Sequence, residues 1–349
     1  MELRNLTPFM PISFESRDEN CNDFGVVVAK GTFDLVDSRR LVISSDQEQF
    51  VLSDQYYGNA TKTCIRTSSD LSPFKPATDV IVTANACSEG GVPREHWNVS
   101  VSIGKKQKAF TVTGPRVWKK KLGLMVATRI EPVSSVPIRY ENAFGGSYQK
   151  GDDNVVSFEP NPVGTGFVPA QYAGGEVPVP QFLPLNKTEL AYGEQTEVTG
   201  LGPIAPHWAP RNQSVGTCDL AWRKSRFPDL PQDFDFSFYN SASSGLALKG
   251  YADGTEKVQL LNLSEEGALV FGLPGIDLAS LLRYQSGEMV PGPMPLDTIH
   301  IDCLKRKVYL TWRGVYPVHM PLRVLEIRAK SRFQKHSPSA VSSHVSVEN

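Results

Sequence analysis

The sequence predicts a mainly β protein: two antiparallel β-rich domains or one elaborated β-sandwich, with a long Pro/Gly-rich irregular segment and very little helix. Three observations predict it. Several runs alternate apolar and polar residues at the period of a half-buried strand. Only one short window has helical spacing. Between Glu141 and Pro231 the chain carries 11 prolines and 11 glycines in 91 residues, a density of turn-formers that breaks regular elements.

The first strands lie near the N-terminus. From Gly25, GVVVAKGTFDLV places Val27, Ala29, Phe33 and Leu35 on one face. Asp37-Ser38 supplies a turn and Leu41-Val42-Ile43 returns, which reads as a hairpin. DVIVTANA, from Asp79 to Ala86, predicts a more deeply buried strand. Trp97, Val99, Val101 and Ile103 alternate with Asn98, Ser100 and Ser102. Gly104-Lys105-Lys106 turns the chain there, and Phe110 and Val112 continue on a partner strand. Lys119-Lys120-Lys121 after Trp118 reads as a solvated strand end.

After Asn240 strands resume. VQLLNLSEEGALVFGLP predicts a hairpin turning at Glu265-Glu266-Gly267. Thr298–Asp302 and Val308–Trp312 predict another, and Arg323–Lys330 a closing strand. DFDFSF sets Phe234, Phe236 and Phe238 on one strand face, with Asp233 and Asp235 opposite. The helical window is DLASLLRY, Asp277 to Tyr284, with Asp277 as its cap. Ser331 onward is Ser-rich and poor in apolar clusters, the composition of a disordered tail. The divisions that follow are an N-terminal β domain over 1–139, an irregular shell over 140–232, a C-terminal β domain over 233–330 and a tail over 331–349.

The shell is not a disordered composition. Phe144, Phe167, Trp208, Trp222 and Phe227 punctuate it, and disordered tracts are poor in aromatics because they cannot offset the entropy of ordering. A long, ordered coil pinned by buried rings suits a binding surface better than a catalytic cleft.

Composition narrows the function. A net charge of −1 argues against a nucleic-acid-binding surface as the main role. No apolar window approaches the roughly 20 residues of a membrane span, and the N-terminus MELRNLTPFMPISF lacks the apolar core of a signal peptide. A cytoplasmic protein is expected. Cys21, Cys64, Cys87, Cys218 and Cys303 are odd in number and far apart, which predicts free, buried thiols rather than disulfides or zinc. No cofactor is expected: no P-loop, nucleophile elbow, HExxH or dinucleotide fingerprint occurs. NPVGTGF reads as a turn, not a phosphate cradle.

Three clusters bear on chemistry. His207, Arg211 and Asp219 permit an enzyme reading, with His207 as base, Asp219 orienting it and Arg211 binding an anion. The structural reading lays Arg211 on an aromatic face or pairs it with Asp219, between buried Trp208 and Trp222. His300 and Asp302, two apart on a strand, form half a metal site or a solvent-facing polar strip. Asp233 and Asp235 are paired carboxylates or the wet side of a strand.

NLTPF, VVVAKGTFDL, YENAFGG, NPVGTGF, GPIAPHWAPR, GTCDLAW, PDLPQDFDFSFYN and LDTIHIDCLKRKVYLTWRG occur here in an order that resembles the domain of unknown function 2169 family (DUF2169), from about Leu6 to Ala329. The resemblance implies a non-catalytic adaptor or chaperone of type VI secretion. Such a protein binds a type VI effector, or its PAAR-containing partner, in the cytoplasm and helps load it onto the VgrG spike. The family lends no catalytic residue. Phe144, Phe167, Trp208, Arg211 and Trp222 are then the candidates for the protein-binding surface or its scaffold. An enzyme using His207, Arg211 and Asp219, or a structural component of the spike, are the competing readings.

Overall fold

A computed structural model describes residues 1–150, 154–169, 171 and 175–331. The tail expected from Ser331 lies outside them but for its first residue. The chain is mainly β, as its patterning predicts.

Three sheets carry most of the structure. In the six-stranded sheet the order is Met10–Arg17, Asp23–Val36, Lys307–Pro317, Leu296–Asp302 and Asp79–Thr83, with Arg40–Ile43 also paired to Asp23–Val36. A five-stranded sheet runs Phe182–Pro184, Lys106–Thr113, His96–Ile103, Lys257–Leu261, Ala268–Gly272. A four-stranded sheet runs Glu2–Asn5, Leu322–Ser331, Ile276–Tyr284, Met289–Met294. Pairing is antiparallel except where Glu2–Asn5 meets Leu322–Ser331 and Asp79–Thr83 meets Leu296–Asp302. Each sheet joins strands from the first and last thirds of the chain, so 1–139 and 233–330 are interleaved in space.

The hairpins form where the sequence places them. Asp37 and Ser38 both have positive φ, the geometry that matches the twist of paired strands. Trp97, Val99, Val101 and Ile103 are buried while the residues between them are not. One apolar core unites the sheets through Val27, Ala29, Phe33, Val101, Ile299 and Leu325. A second, smaller cluster gathers Trp118, Phe144, Val177, Val179, Leu183 and Leu190.

Two elements differ from expectation. Asp277–Tyr284 is strand, not helix: Leu278, Ser280, Leu282 and Tyr284 are buried at period two. The segment lies between Leu322–Ser331 and Met289–Met294, and that pairing outweighs the helix propensity of Leu and Ala. Phe234, Phe236 and Phe238 do not line a strand face either. Asp235 accepts from the Ser237 amide at 2.8 Å and caps a 3₁₀ turn over Phe236–Tyr239. The rings then pack on one another, Phe234 lying 5.3 Å from Phe236 and 5.7 Å from Phe238. Asp233 turns elsewhere, to the Thr217 amide and hydroxyl. Short carboxylates beside free backbone amides favour caps and turns over strands.

The far face of the six-stranded sheet is polar and buried. Lys30, Thr311, Thr298 and Asp79 are cross-strand neighbours in one row; Thr32, Tyr309, His300 and Ile81 form the next. The coil over 44–78 covers them. Lys30 Nζ donates to Asp70 at 2.8 Å, Lys75 Nζ to Asp79 at 2.9 Å and Arg313 Nε to Asp297 at 2.6 Å. His300 and Asp302 are therefore not a solvent-facing strip: they are 9% and 5% exposed, because this coil closes over them. Thr83 and His300 share a hydrogen bond, and Asp302 accepts from the Leu304 and Lys305 amides. Burial pushes His300 down to about 4. Among the described residues no three His, Cys, Asp or Glu side chains gather as a metal site. The remaining cavity, about 30 Å³, has room for about one water.

Removing one member of such a pair strands a buried charge, at roughly 3–5 kcal/mol. Asp79→Leu should lower unfolding free energy by that much in a denaturant titration. Adding Lys75→Met should recover only part of the loss, since the amides that Asp79 also binds stay unpaired.

Candidate functional site

The family-like phrases of the shell fold onto one another. Phe144–Gly145 pairs in parallel with Thr165–Gly166, joining YENAFGG to NPVGTGF. Asn161, fully buried, donates through its amide to the Tyr140 and Phe144 carbonyls at 2.8 and 3.0 Å. Gly164 sits so close that a Cβ there would strike the Asn161 amide and the Ala143 carbonyl. NPVGTGF is thus a joint between two coils, and its glycines serve close backbone approach.

Four of the five candidate binding residues fall in three places. Phe144 is buried in the second core cluster, where Phe167 lies half-buried at its edge and both meet Phe158. Trp208 is buried in the main core, edge-on to Tyr140 at 5.6 Å. Trp222 is half-buried on a short helix, Leu220–Ser225, its indole donating to the Asp229 carbonyl and its ring against Phe227. Phe144 and Trp208 are therefore scaffold.

Arg211 works as a staple. Its Nε donates to the Phe238 carbonyl at 2.6 Å and its Nη1 to the Ile204 carbonyl at 2.7 Å, with the guanidinium over the Phe238 ring. Burial pulls this guanidinium below its usual value. Asp219 caps the helix by accepting from the Trp222 amide, and His207 accepts from the Trp208 indole at 3.1 Å. The structure therefore gives His207, Arg211 and Asp219 separate local partners. No hydrogen bond or ion pair joins them among the described residues.

Arg211 does border a cleft of about 370 Å³ whose apolar side includes Tyr140, Val198, Ile204 and Ala242 and whose polar groups include Asn240 and Ser243. Tyr140 anchors it, donating to the Gly202 carbonyl at 3.0 Å, and Gly200 packs so tightly on that ring that a Cβ would run into it. Apolar walls with a few fixed hydroxyls and amides suit an apolar side chain flanked by backbone. Behind the cleft, Lys108 donates to the Ser243 hydroxyl at 3.1 Å and the Ser244 carbonyl at 2.8 Å. Burial pushes Lys108 down to about 8. Sequence reasoning passed over Lys108 and Ser243. The only signal was a lysine in an otherwise apolar-alternating strand, opposite a serine-rich run distant in the chain. Cys64, Cys87 and Cys303 are buried thiols as expected, while Cys21 and Cys218 are exposed; none is disulfide-bonded.

A sheet core wrapped by hydrogen-bonded coil, with a cleft in that coil, describes a mainly β protein. The chain belongs to the DUF2169 family, described as an uncharacterized protein conserved in bacteria, whose model matches residues 21–313. No curated protein and no solved structure matches it. No helix among the described residues is long and apolar enough to cross a membrane.

Two outcomes follow. Arg211→Met keeps the stem but leaves two carbonyls without their charged donor, which should cost about 2–3 kcal/mol in denaturant unfolding and speed amide exchange around Ile204. For Lys108, the folded state gives up its proton near pH 8 while the unfolded chain holds it to its ordinary 10.5. The cost of charging the half-buried Lys108 is complete below pH 8 and is relieved as pH rises from there to 10.5. The stability difference, wild type minus Lys108→Met, should therefore rise across that window, as followed by thermal melts.

Proposed function

We propose that this chain is a non-catalytic adaptor that binds a type VI secretion effector, or its PAAR-containing partner, in the cytoplasm and helps load it onto the VgrG spike. One observation carries the reading: the reactive-looking residues of the coat are tied to local backbone and ring partners rather than to one another. Arg211 staples two coils, Asp219 caps a helix, and His207 is engaged by the indole beside it. A surface already ordered before binding loses little entropy when it docks. The cleft beside Arg211 offers a seat for one apolar anchor of the cargo, the kind of contact that dominates protein interfaces. The order of phrases shared with the family supports the secretion context.

The tagged chain should retain an effector or spike-tip protein from its own cells, and its deletion should lower that cargo's abundance or export. Ser244→Trp, an exposed change at the cleft rim, should weaken cargo retention by about tenfold. Cargo that stays abundant and is exported normally without the chain would end the adaptor reading.

A further inference from the structure

A second surface lies away from this cleft, on the hairpin Val117–Lys121/Leu124–Ala127. Its base is anchored: Trp118 is buried in the second core cluster and stacks edge-on against Tyr192. Its outer end is not. Lys119, Lys121, Leu124 and Val126 share one face through the pairs Lys119↔Val126 and Lys121↔Leu124, and all four are exposed. Leu124 is 71% exposed, Val126 45% and the turn residue Leu122 96%. Leu122 also takes φ 50 and Gly123 φ 85, a two-residue turn whose first position ordinarily carries Asn, Asp or Gly. A bulky apolar residue is held here in strained backbone with no core to enter.

Charge lines the strand behind it: Lys119 and Lys121 stand on the face of Leu124 and Val126, Lys120 on the opposite face, and none of the three makes an ion pair among the described residues. The whole chain carries −1, so this cationic spot is local.

The third observation is an open strand edge. In its sheet the order is Leu124–Ala127, Val117–Lys121, Val177–Pro178, which leaves Leu124–Ala127 on the outside. The Thr128 amide donates to the Val117 carbonyl. Ladder bonds alternate along an antiparallel pair, so Leu124 and Val126 bond inward, and the N–H and C=O of Met125 and Ala127 face the open edge. Natural edges are guarded by charge, proline or a cover; this one reads Leu-Met-Val-Ala. The lysines stand on the inner strand, where they flank the edge without blocking it.

We propose that this edge accepts an extended acidic segment of a partner protein as an added strand, with its carboxylates against Lys119 and Lys121 and its apolar side chains on Leu124 and Val126. Backbone pairing supplies affinity and the lysines select the charge. An anionic membrane would use the lysines and leucines but leave the backbone groups unpaired in a poorly hydrated interface, so the open edge favours a polypeptide. The inference goes beyond the cleft and rests on the adaptor reading only in taking the partner for cargo.

The probe is a short peptide alternating valine and glutamate, with a valine–lysine peptide as control and phosphatidylserine vesicles as the membrane arm. The full chain should bind the acidic peptide, lose affinity steeply with salt, and gain amide protection at Met125 and Ala127. Met125→Pro removes an outward N–H at an edge position where proline is tolerated and should weaken binding by about tenfold. A Lys119→Glu/Lys120→Glu/Lys121→Glu variant, confined to exposed side chains, should abolish it and favour the lysine peptide. The proposal is overturned if the acidic peptide does not bind, if it binds both variants as well as wild type, or if only the vesicles bind. A chain that binds the peptide yet retains no cargo would sink the adaptor reading and leave this one standing; cargo without peptide would do the reverse.

Discussion

Asp79 is the contact on which the rest of the architecture depends. It begins an edge strand of the six-stranded sheet, is completely buried, and binds four groups from two other parts of the chain. Lys75 Nζ lies at 2.9 Å, the Ser241 amide at 2.9 Å, the Asn240 side-chain amide at 3.0 Å and the Ala242 amide at 3.2 Å. One carboxylate therefore ties the sheet to the coil that covers its polar face and to the coil that walls the cleft. An unpaired carboxylate could not stay in such a place, so these segments order together.

The same strand explains how so much coil can be fixed. Its outer edge would otherwise expose a row of backbone donors and acceptors. Instead Val80 donates to the Leu246 carbonyl and Val82 to the Leu201 carbonyl, both at 3.0 Å, while close by Thr78 accepts from the Leu248 amide and donates to the Gly250 carbonyl. The coil does for this edge what another strand would do. The Asn161 joint and the Arg211 staple repeat the arrangement: a fully buried amide in one case, and a half-buried guanidinium in the other, satisfies two backbone carbonyls of other segments. Rigidity here comes from polar contacts aimed at backbone, with aromatic rings filling the space between.

Much of the β framework was legible because its strands are half-buried and alternate plainly, as from Trp97 to Ile103. Ile276–Tyr284 was misleading for a physical reason: Leu and Ala at mixed spacing satisfy a helix as well as a strand, and only the neighbouring strands decide. The Phe234–Phe238 run failed similarly, since an alternation of rings and carboxylates cannot reveal that Asp235 finds the Ser237 amide first. Aromatic residues in the shell marked order correctly, yet they did not mark the surface; Trp208 and Phe144 are interior. The polar face behind Lys30 and His300 was hidden because its cover, residues 44–78, has little pattern of its own.

These facts bear on what a coat of this kind can do. Lys30, Lys75, His300 and Arg313 line a polar layer with room for about one water, and His207 and Asp219 are engaged by residues beside them. Chemistry on a substrate requires groups that converge on open space, whereas recognition requires a surface whose shape does not change. On the proposed reading the cleft beside Arg211 and the bare edge at Leu124–Ala127 would serve recognition by different means, one by a concavity and the other by unpaired backbone. A partner engaging both would be held by one apolar anchor and one added strand. Neither contact then needs to be strong by itself, because the second forms at the high effective concentration set by the first.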